Sequence, residues 1–313
     1  MASWQMRGLA MLFSVVFKPR LATEKAGRAR LARAKGSAEP PKSLRSGRLL
    51  ERYEISGFTV HVVHPRARSQ ADHVEATTSD ATTSGTAVVY LHGGAYVGEI
   101  VSQQWQFVAH LADRTGCPVH VPIYGLAPEH DAAQALALVS AVVAELAQTG
   151  SLVHLVGDSA GGGLALLAAQ HAAPATRSAL VGVTALAPWL DLAMANPQIP
   201  VVERVDPWLS RAGLVPIASA WAAGTPLEDP AVSPLHGDFS ALPPLAVWVG
   251  TRDITLPDCR LVRDRMAGEP SFRYTELEGA LHVYALLPVP EGRRARDDIA
   301  AHVRTSFQVA RER

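Results

Sequence analysis

The sequence predicts an α/β protein built on a mainly parallel sheet covered on both faces by helices. Three observations carry that expectation. Apolar runs of strand length alternate with alanine- and leucine-rich helical runs along most of the chain, the pattern of strand–helix–strand units. The strand candidates are apolar nearly throughout, as strands buried on both faces are. One of them, residues 152–156, runs through Gly157-Asp158-Ser159-Ala160-Gly161 straight into a helical run. At 313 residues, the chain fits one large domain with an insertion or two small domains, and either can bury a substantial core.

In chain order, residues 1–50 read as helical and basic, ending at Pro40-Pro41. Between Leu9 and Phe17 lies an apolar run behind Arg7. It falls far short of the roughly 20 residues of a membrane span, and no small-residue cleavage site follows it. It reads as a helix packing its apolar face on the body of the protein, with a shallow membrane anchor as the lesser alternative. Residues 53–55 and 58–63 flank Ser56-Gly57 and predict a β-hairpin. The polar stretch 66–86 reads as a mobile surface loop.

A strand over 87–91 then delivers His92-Gly93-Gly94-Ala95-Tyr96, followed by a helix over 105–113, a strand over 119–124 and a long helix over 129–147. After the 152–156 strand and its glycine turn comes a helix over 164–171, stopped by Pro174, and a strand over 180–186. Between Pro188 and Pro244 the rhythm breaks. Trp189, Trp208 and Trp221 stand there among several prolines, and the segment reads as an insertion folding over the sheet. Its tryptophans suit a substrate cover or an ordinary core equally. Strands over 245–249 and 272–277 and helices over 259–266 and 293–309 complete the pattern, with no internal repeat.

Lys plus Arg number 29 and Asp plus Glu number 29, so the total charge carries no electrostatic footprint for nucleic acid or acidic lipid. The basic residues Arg28, Arg30, Arg33 and Lys35 read first as a solvated helix face and second as an interaction surface. Cys117 and Cys259 are the only cysteines, too few for a disulfide scaffold and without metal-ligand spacing, which points to a reduced, cytoplasmic setting and no metal.

The chemistry centres on Ser159. A serine between strand and helix must turn the backbone sharply, so Gly157 and Gly161 avoid bulky side chains where the chain doubles back. A hydroxyl needs a base to attack an acyl carbon, and that imidazole needs an acid to orient it. Among twelve histidines, His282 follows the 272–277 strand in Glu278-Gly279-Ala280-Leu281-His282, where a loop can lean it over the C-terminal sheet edge. Asp253, just beyond the 245–249 strand, is the candidate acid. Asp258, between Pro257 and a helical run, is expected to be an N-cap, and Asp158 to be unable to reach the far side of the imidazole. Donors for an oxyanion are expected from the N–H groups of Ala160, Gly93 and Gly94, with Ala95 sharing the work. His92 is expected to hold that loop by hydrogen bonding.

Together, Tyr90-Leu91-His92-Gly93-Gly94-Ala95, Tyr124-Gly125-Leu126-Ala127-Pro128-Glu129-His130 and Gly157-Asp158-Ser159-Ala160-Gly161-Gly162 resemble the hormone-sensitive-lipase-like family of α/β-hydrolase esterases. Ala187-Pro188-Trp189-Leu190-Asp191-Leu192, Asp206-Pro207-Trp208 and Ser233-Pro234-Leu235 look like its cap and post-cap segments. The resemblance covers the chain from Tyr53 onward. It implies an eight-stranded α/β-hydrolase sheet in two stretches, 51–188 and 241–313, and a helical cap from residues 1–50 and the insertion 189–240. It also implies carboxylesterase activity on small to medium acyl esters without metal or organic cofactor, with Ser159, Asp253 and His282 as nucleophile, acid and base, and a possible homodimer through the last strand and helix. An amidase or formamidase using the same triad, or a non-catalytic binding protein on the same fold, are the alternatives. Two departures stand out: Ala95 where the family usually has a third glycine, and Gly125 where it usually has arginine.

Overall fold

The computed structural model describes residues 2–66 and 85–312, so the loop expected at 66–86 falls, for 67–84, outside the described residues. Eight strands, β1 (Leu50–Ile55), β2 (Phe58–Val63), β3 (Thr86–Leu91), β4 (Val119–Pro122), β5 (Leu152–Asp158), β6 (Leu180–Leu186), β7 (Leu245–Arg252) and β8 (Phe272–Leu281), form one sheet in the order β1-β2-β4-β3-β5-β6-β7-β8. β2 is antiparallel to β1 and β4; the pairings from β4 through β8 are parallel. The expected hairpin is β1–β2, turning through Ser56 and Gly57 at φ 53° and 81°, the left-handed pair that matches strand twist.

The main helices are α1 (Trp4–Val16), α2 (Glu24–Leu31), α3 (Ser102–Thr115), α4 (Ala132–Gln148), α5 (Ala160–Gln170), α6 (Arg211–Ala222), α7 (Leu256–Arg265) and α8 (Pro290–Arg311). Alternation along the strands builds two apolar layers. Ala87, Val89 and Leu91 of β3 and Leu245, Val247 and Val249 of β7 face α4, α5 and α7. Val88, Tyr90, Ala246 and Trp248 face α3 and α8. This two-sided burial is why the central strands carry almost no polar residues.

Three local expectations need correction. Helix in the first 50 residues is confined to α1, α2 and short 3₁₀ turns; beyond Leu31 the chain is mostly irregular, because Gly36, Pro40 and Pro41 interrupt any continuation. The insertion does contain a regular element, α6, masked in the sequence by Pro216 inside it. Asp258 is not an N-cap. Thr255 occupies that position, and the Asp258 carboxylate accepts from Asn196 Nδ2 at 3.0 Å.

The N-terminal segment and the insertion pack together above the C-terminal edge of the sheet. Gly27 of α2 and Gly213 of α6 meet backbone to backbone, where a Cβ on Gly27 would overlap the Gly213 carbonyl. Lys18 donates through Nζ to the carbonyls of Glu203, Asp206 and Leu209. Phe13 and Trp208 meet edge to face at 4.8 Å. α1 buries Met6, Ala10 and Phe13 as expected of a packing helix, and Ser3 caps it while anchored to Glu291 of α8. Its other side exposes Trp4, Met11 and Val15. Among the described residues no helix is long and apolar enough to cross a membrane.

Candidate active site

Because β3, β5, β7 and β8 run parallel, their C-terminal ends open on one edge of the sheet, where α/β proteins place ligands. β3 ends in the glycine loop, β5 in Ser159, β7 in Asp253 and β8 in His282. The register keeps these ends level: Leu91 pairs with Gly157, Asp158 with Leu186, Leu186 with Trp248, and Arg252 with Leu281.

Ser159 stands between β5 and α5 at φ 52° and ψ −119°, a region a non-glycine residue occupies only when its surroundings enforce it. The enforcement is visible in its neighbours. A Cβ on Gly157 would overlap the Gly161 carbonyl, and one on Gly161 would overlap the Leu91 carbonyl, so both glycines are needed for α5 to fold back over the strand ends. Val283, immediately after His282, also has positive φ, 47°, so backbone strain gathers at this edge.

The structure brings the three separated side chains together. His282 Nε2 lies 2.9 Å from Ser159 Oγ, and His282 Nδ1 lies 2.9 and 3.0 Å from the two oxygens of Asp253. Asp253 is fully buried, and Oδ1 also accepts from the Thr255 N–H and hydroxyl, each at 2.9 Å. Burial by itself would lower the His282 pKa, but the charge and hydrogen bond of Asp253, with Asp206 and Asp158 behind them, outweigh it and raise the pKa above 6.5. Asp206, within the insertion, is a second carboxylate at this place. Its oxygens accept from the N–H groups of Trp208, Leu209 and Ile254, and burial plus the Asp253 charge push its pKa up to about 6.

Asp158 does not approach Nδ1 of His282; it ties the elbow to the glycine loop. Its carboxylate accepts from the Tyr90 hydroxyl at 2.5 Å, the Gly93 N–H at 2.9 Å and Gln104 Nε2 at 3.0 and 3.1 Å. Gly93, expected among the oxyanion donors, does not serve as one: its N–H already donates to Asp158 and does not point at an oxyanion. Glycine is still required at 93, since a Cβ would strike Asp158. The N–H groups of Gly94 and Ala95 meet no protein acceptor among the described residues. Ala160 is the first residue of α5, whose N–H lacks a partner within its own helix. Tyr90 and Gln104 were invisible as site residues in the sequence. Gln104 lies one residue outside the helix expected there, and its burial and its bonds to Asp158 mark it only in the structure.

His92 holds the loop as expected: Nδ1 is 2.9 Å from the Gly93 carbonyl, the ring stacks on Tyr124 at 4.4 Å, and its carbonyl accepts from the Tyr124 hydroxyl. Burial lowers its pKa to about 4, so it is neutral at physiological pH. Ala95 takes φ 55°, which explains physically why glycine is the easier residue there. At Gly125 the space beside the backbone is filled by the His130 ring. The cation bracing this loop comes from elsewhere: Lys35 donates to the Ala127 carbonyl at 2.6 Å.

Above Ser159 opens a cavity of about 550 Å³, within the usual range for small-molecule sites. Its wall is shared by α1 (Leu9, Phe13), the insertion (Trp189, Trp208) and the loop after His282 (Val283, Leu286). The tryptophans divide. Trp208 and Trp189 line the cavity, Trp208 lying edge-on to His282 at 5.6 Å. Trp221 is core, stacked on Tyr96 at 4.3 Å.

Comparison with known proteins agrees with this architecture. The α/β hydrolase fold family matches residues 88–286. An acetyl-hydrolase of Streptomyces hygroscopicus is 32% identical over 233 residues, covering 72% of this chain and 78% of that protein. A triacylglycerol lipase of Mycobacterium tuberculosis is 35% identical over 176 residues, covering 55% of this chain and 36% of that much longer protein. The crystal structure of an esterase from the bacterial hormone-sensitive lipase family superposes with a TM-score of 0.74 at 23% identity, covering 98% of this chain and 100% of that one. With the sheet order, the elbow and these matches in agreement, the chain belongs to the α/β-hydrolase fold family, among its hormone-sensitive-lipase-like members.

Proposed function

We propose that the protein is a serine carboxylesterase that hydrolyses small to medium acyl esters through an acyl-enzyme. One observation carries the reading: a single buried imidazole spans Ser159 Oγ and Asp253 at hydrogen-bond distance on both sides. With Nδ1 donating to Asp253, Nε2 accepts the Ser159 proton as Oγ attacks the ester carbonyl. The developing oxyanion is received by the N–H groups of Gly94, Ala95 and Ala160. His282 passes its proton to the departing alcohol, leaving Ser159 acylated. A water deprotonated by His282 then attacks, and the acid leaves as Ser159 regains its proton. Residues 1–50 and 189–240 act as the cap, an assignment supported by their joint packing over the cavity. A cytoplasmic setting belongs to the same proposal, supported by two buried, unpaired thiols at Cys117 and Cys259.

A fluorophosphonate probe tests the mechanism: we expect stoichiometric labelling at Ser159. A folded sample with no label at that residue would overturn it. The electrostatics add a pH prediction. Only neutral His282 can act as base, so kcat/KM rises as pH climbs through its pKa. Because that pKa is raised, the half-maximal point of the acidic limb should lie above 6.5; a limb centred below that value would contradict the charge balance described above.

A further inference from the structure

Among the described residues, the ionisable side chains on the cavity wall are Arg20, Arg30, Glu99, Asp158 and His282. Two of them have protein partners. Asp158 is consumed by Tyr90, Gly93 and Gln104, and His282 by Asp253 and Ser159. Burial pushes the Glu99 carboxyl above its ordinary pKa, with Lys35 opposing in part, and its buried Oε2 meets no hydrogen-bond partner among the described residues. The two arginines remain.

Neither guanidinium has a carboxylate within ion-pair distance or a protein hydrogen-bond acceptor among the described residues; the Arg20 head rests only on the face of Phe17. Several arginines elsewhere are paired: Arg48 with Asp113, Arg114 with Asp297 and Arg260 with Glu276. Arg30 is half-buried, and burial together with the like charges of Arg33 and Arg20 lowers its pKa. A partly desolvated cation beside other cations, with no counter-charge, is unfavourable unless an anion joins it. It is also well placed to receive one. Arg30 Nη2 lies 3.5 Å from where a side chain would project at Gly98, and the Gly98 N–H donates to the Gly94 carbonyl at 2.9 Å. The guanidinium thus stands against the far end of the loop that carries Gly94. It does so from α2, a helix locked to α6 by the Gly27–Gly213 contact.

We propose that the substrate is an ester carrying an anionic group, carboxylate or phosphate, away from the scissile carbonyl, and that Arg30 with Arg20 binds that group while the apolar wall holds the rest. This rests on the esterase reading above. Guanidinium suits the task because its fork binds planar and tetrahedral oxyanions through two parallel hydrogen bonds.

The test compares kcat/KM for matched charged and neutral esters in the full-length protein. In one arm the charge lies on the acyl side (mono-p-nitrophenyl adipate against p-nitrophenyl hexanoate). In the other it lies on the alcohol side (4-acetoxybutyrate against pentyl acetate). The readout is the charged-to-neutral ratio within each variant, which cancels any general loss of folded enzyme. In at least one arm, Arg30→Gln should lower the ratio about tenfold, equivalent to about 1.4 kcal/mol. Arg30→Lys, which keeps the charge without the fork, should lower it less. Raising the ionic strength from about 0.05 to about 0.5 M should lower the wild-type ratio by screening the exposed Arg20. A ratio unchanged by Arg30→Gln and by the Arg20→Gln, Arg30→Gln pair in both arms, with the neutral esters still turned over, overturns the anion site alone. If wild type hydrolyses none of the four esters, the esterase reading fails and takes this one with it.

Discussion

Ser159→Ala is expected to reduce hydrolysis of p-nitrophenyl butyrate by about 10⁶-fold in kcat, leaving only what the oxyanion donors and binding supply over water. The loss should appear in kcat and not in KM. The Ser159 side chain is a small part of a wall dominated by Trp189, Trp208, Phe13 and Leu286, so the cavity keeps its shape in the variant. Nor should the variant be unstable. The strain at φ 52° belongs to the backbone and is imposed by Gly157, Gly161 and the Leu91 carbonyl, none of which changes. Steady-state kinetics with a thermal melt decide the matter: a folded Ser159→Ala protein retaining more than a hundredth of wild-type activity would remove the hydroxyl from the chemistry.

The next largest effect is expected for Asp253→Asn, about 10⁴-fold in kcat, and the geometry says why. Asp253 Oδ1 is held by the N–H and the hydroxyl of Thr255. An asparagine would leave its carbonyl oxygen facing those two donors and turn its NH₂ toward His282 Nδ1. Nδ1 must then accept, which puts the imidazole proton on Nε2, facing Ser159, where a base needs a lone pair. Loss of the carboxylate charge also removes the main influence raising the His282 pKa, so the acidic limb should move to lower pH. A pH–rate profile of the variant checks both effects. A fall of less than tenfold with an unmoved limb would transfer the orienting role to another group, and Asp206 is the carboxylate next in line.

What could be read directly from the residues follows from burial and local stereochemistry. The strands were legible because two-sided burial leaves continuous apolar runs, and β3 and β6 are buried at every position. The elbow was legible because Gly157 and Gly161 answer a local steric demand. The order of Ser159, Asp253 and His282 along the chain could be read because parallel strands deliver their following residues to one edge. Less legible was anything depending on which partner a polar group chooses. Gly93 looks like an oxyanion donor until Asp158 takes its N–H. Asp258 looks like a cap until Asn196 and Thr255 show otherwise. Pro216 hides a helix that its buried face maintains.

The sequence by itself determined the class of sheet and the sharp turn that presents Ser159, because these depend on periodicity and on backbone space near in the chain. Tertiary structure alone decided the rest: that Ser159 and His282, 123 positions apart, meet at hydrogen-bond distance, that Lys35 braces the loop beside Gly125, and that α1 and Trp208 close over the cavity. These contacts join segments far apart in the chain, and no local propensity encodes which of several equally suitable side chains will arrive first at a given buried atom.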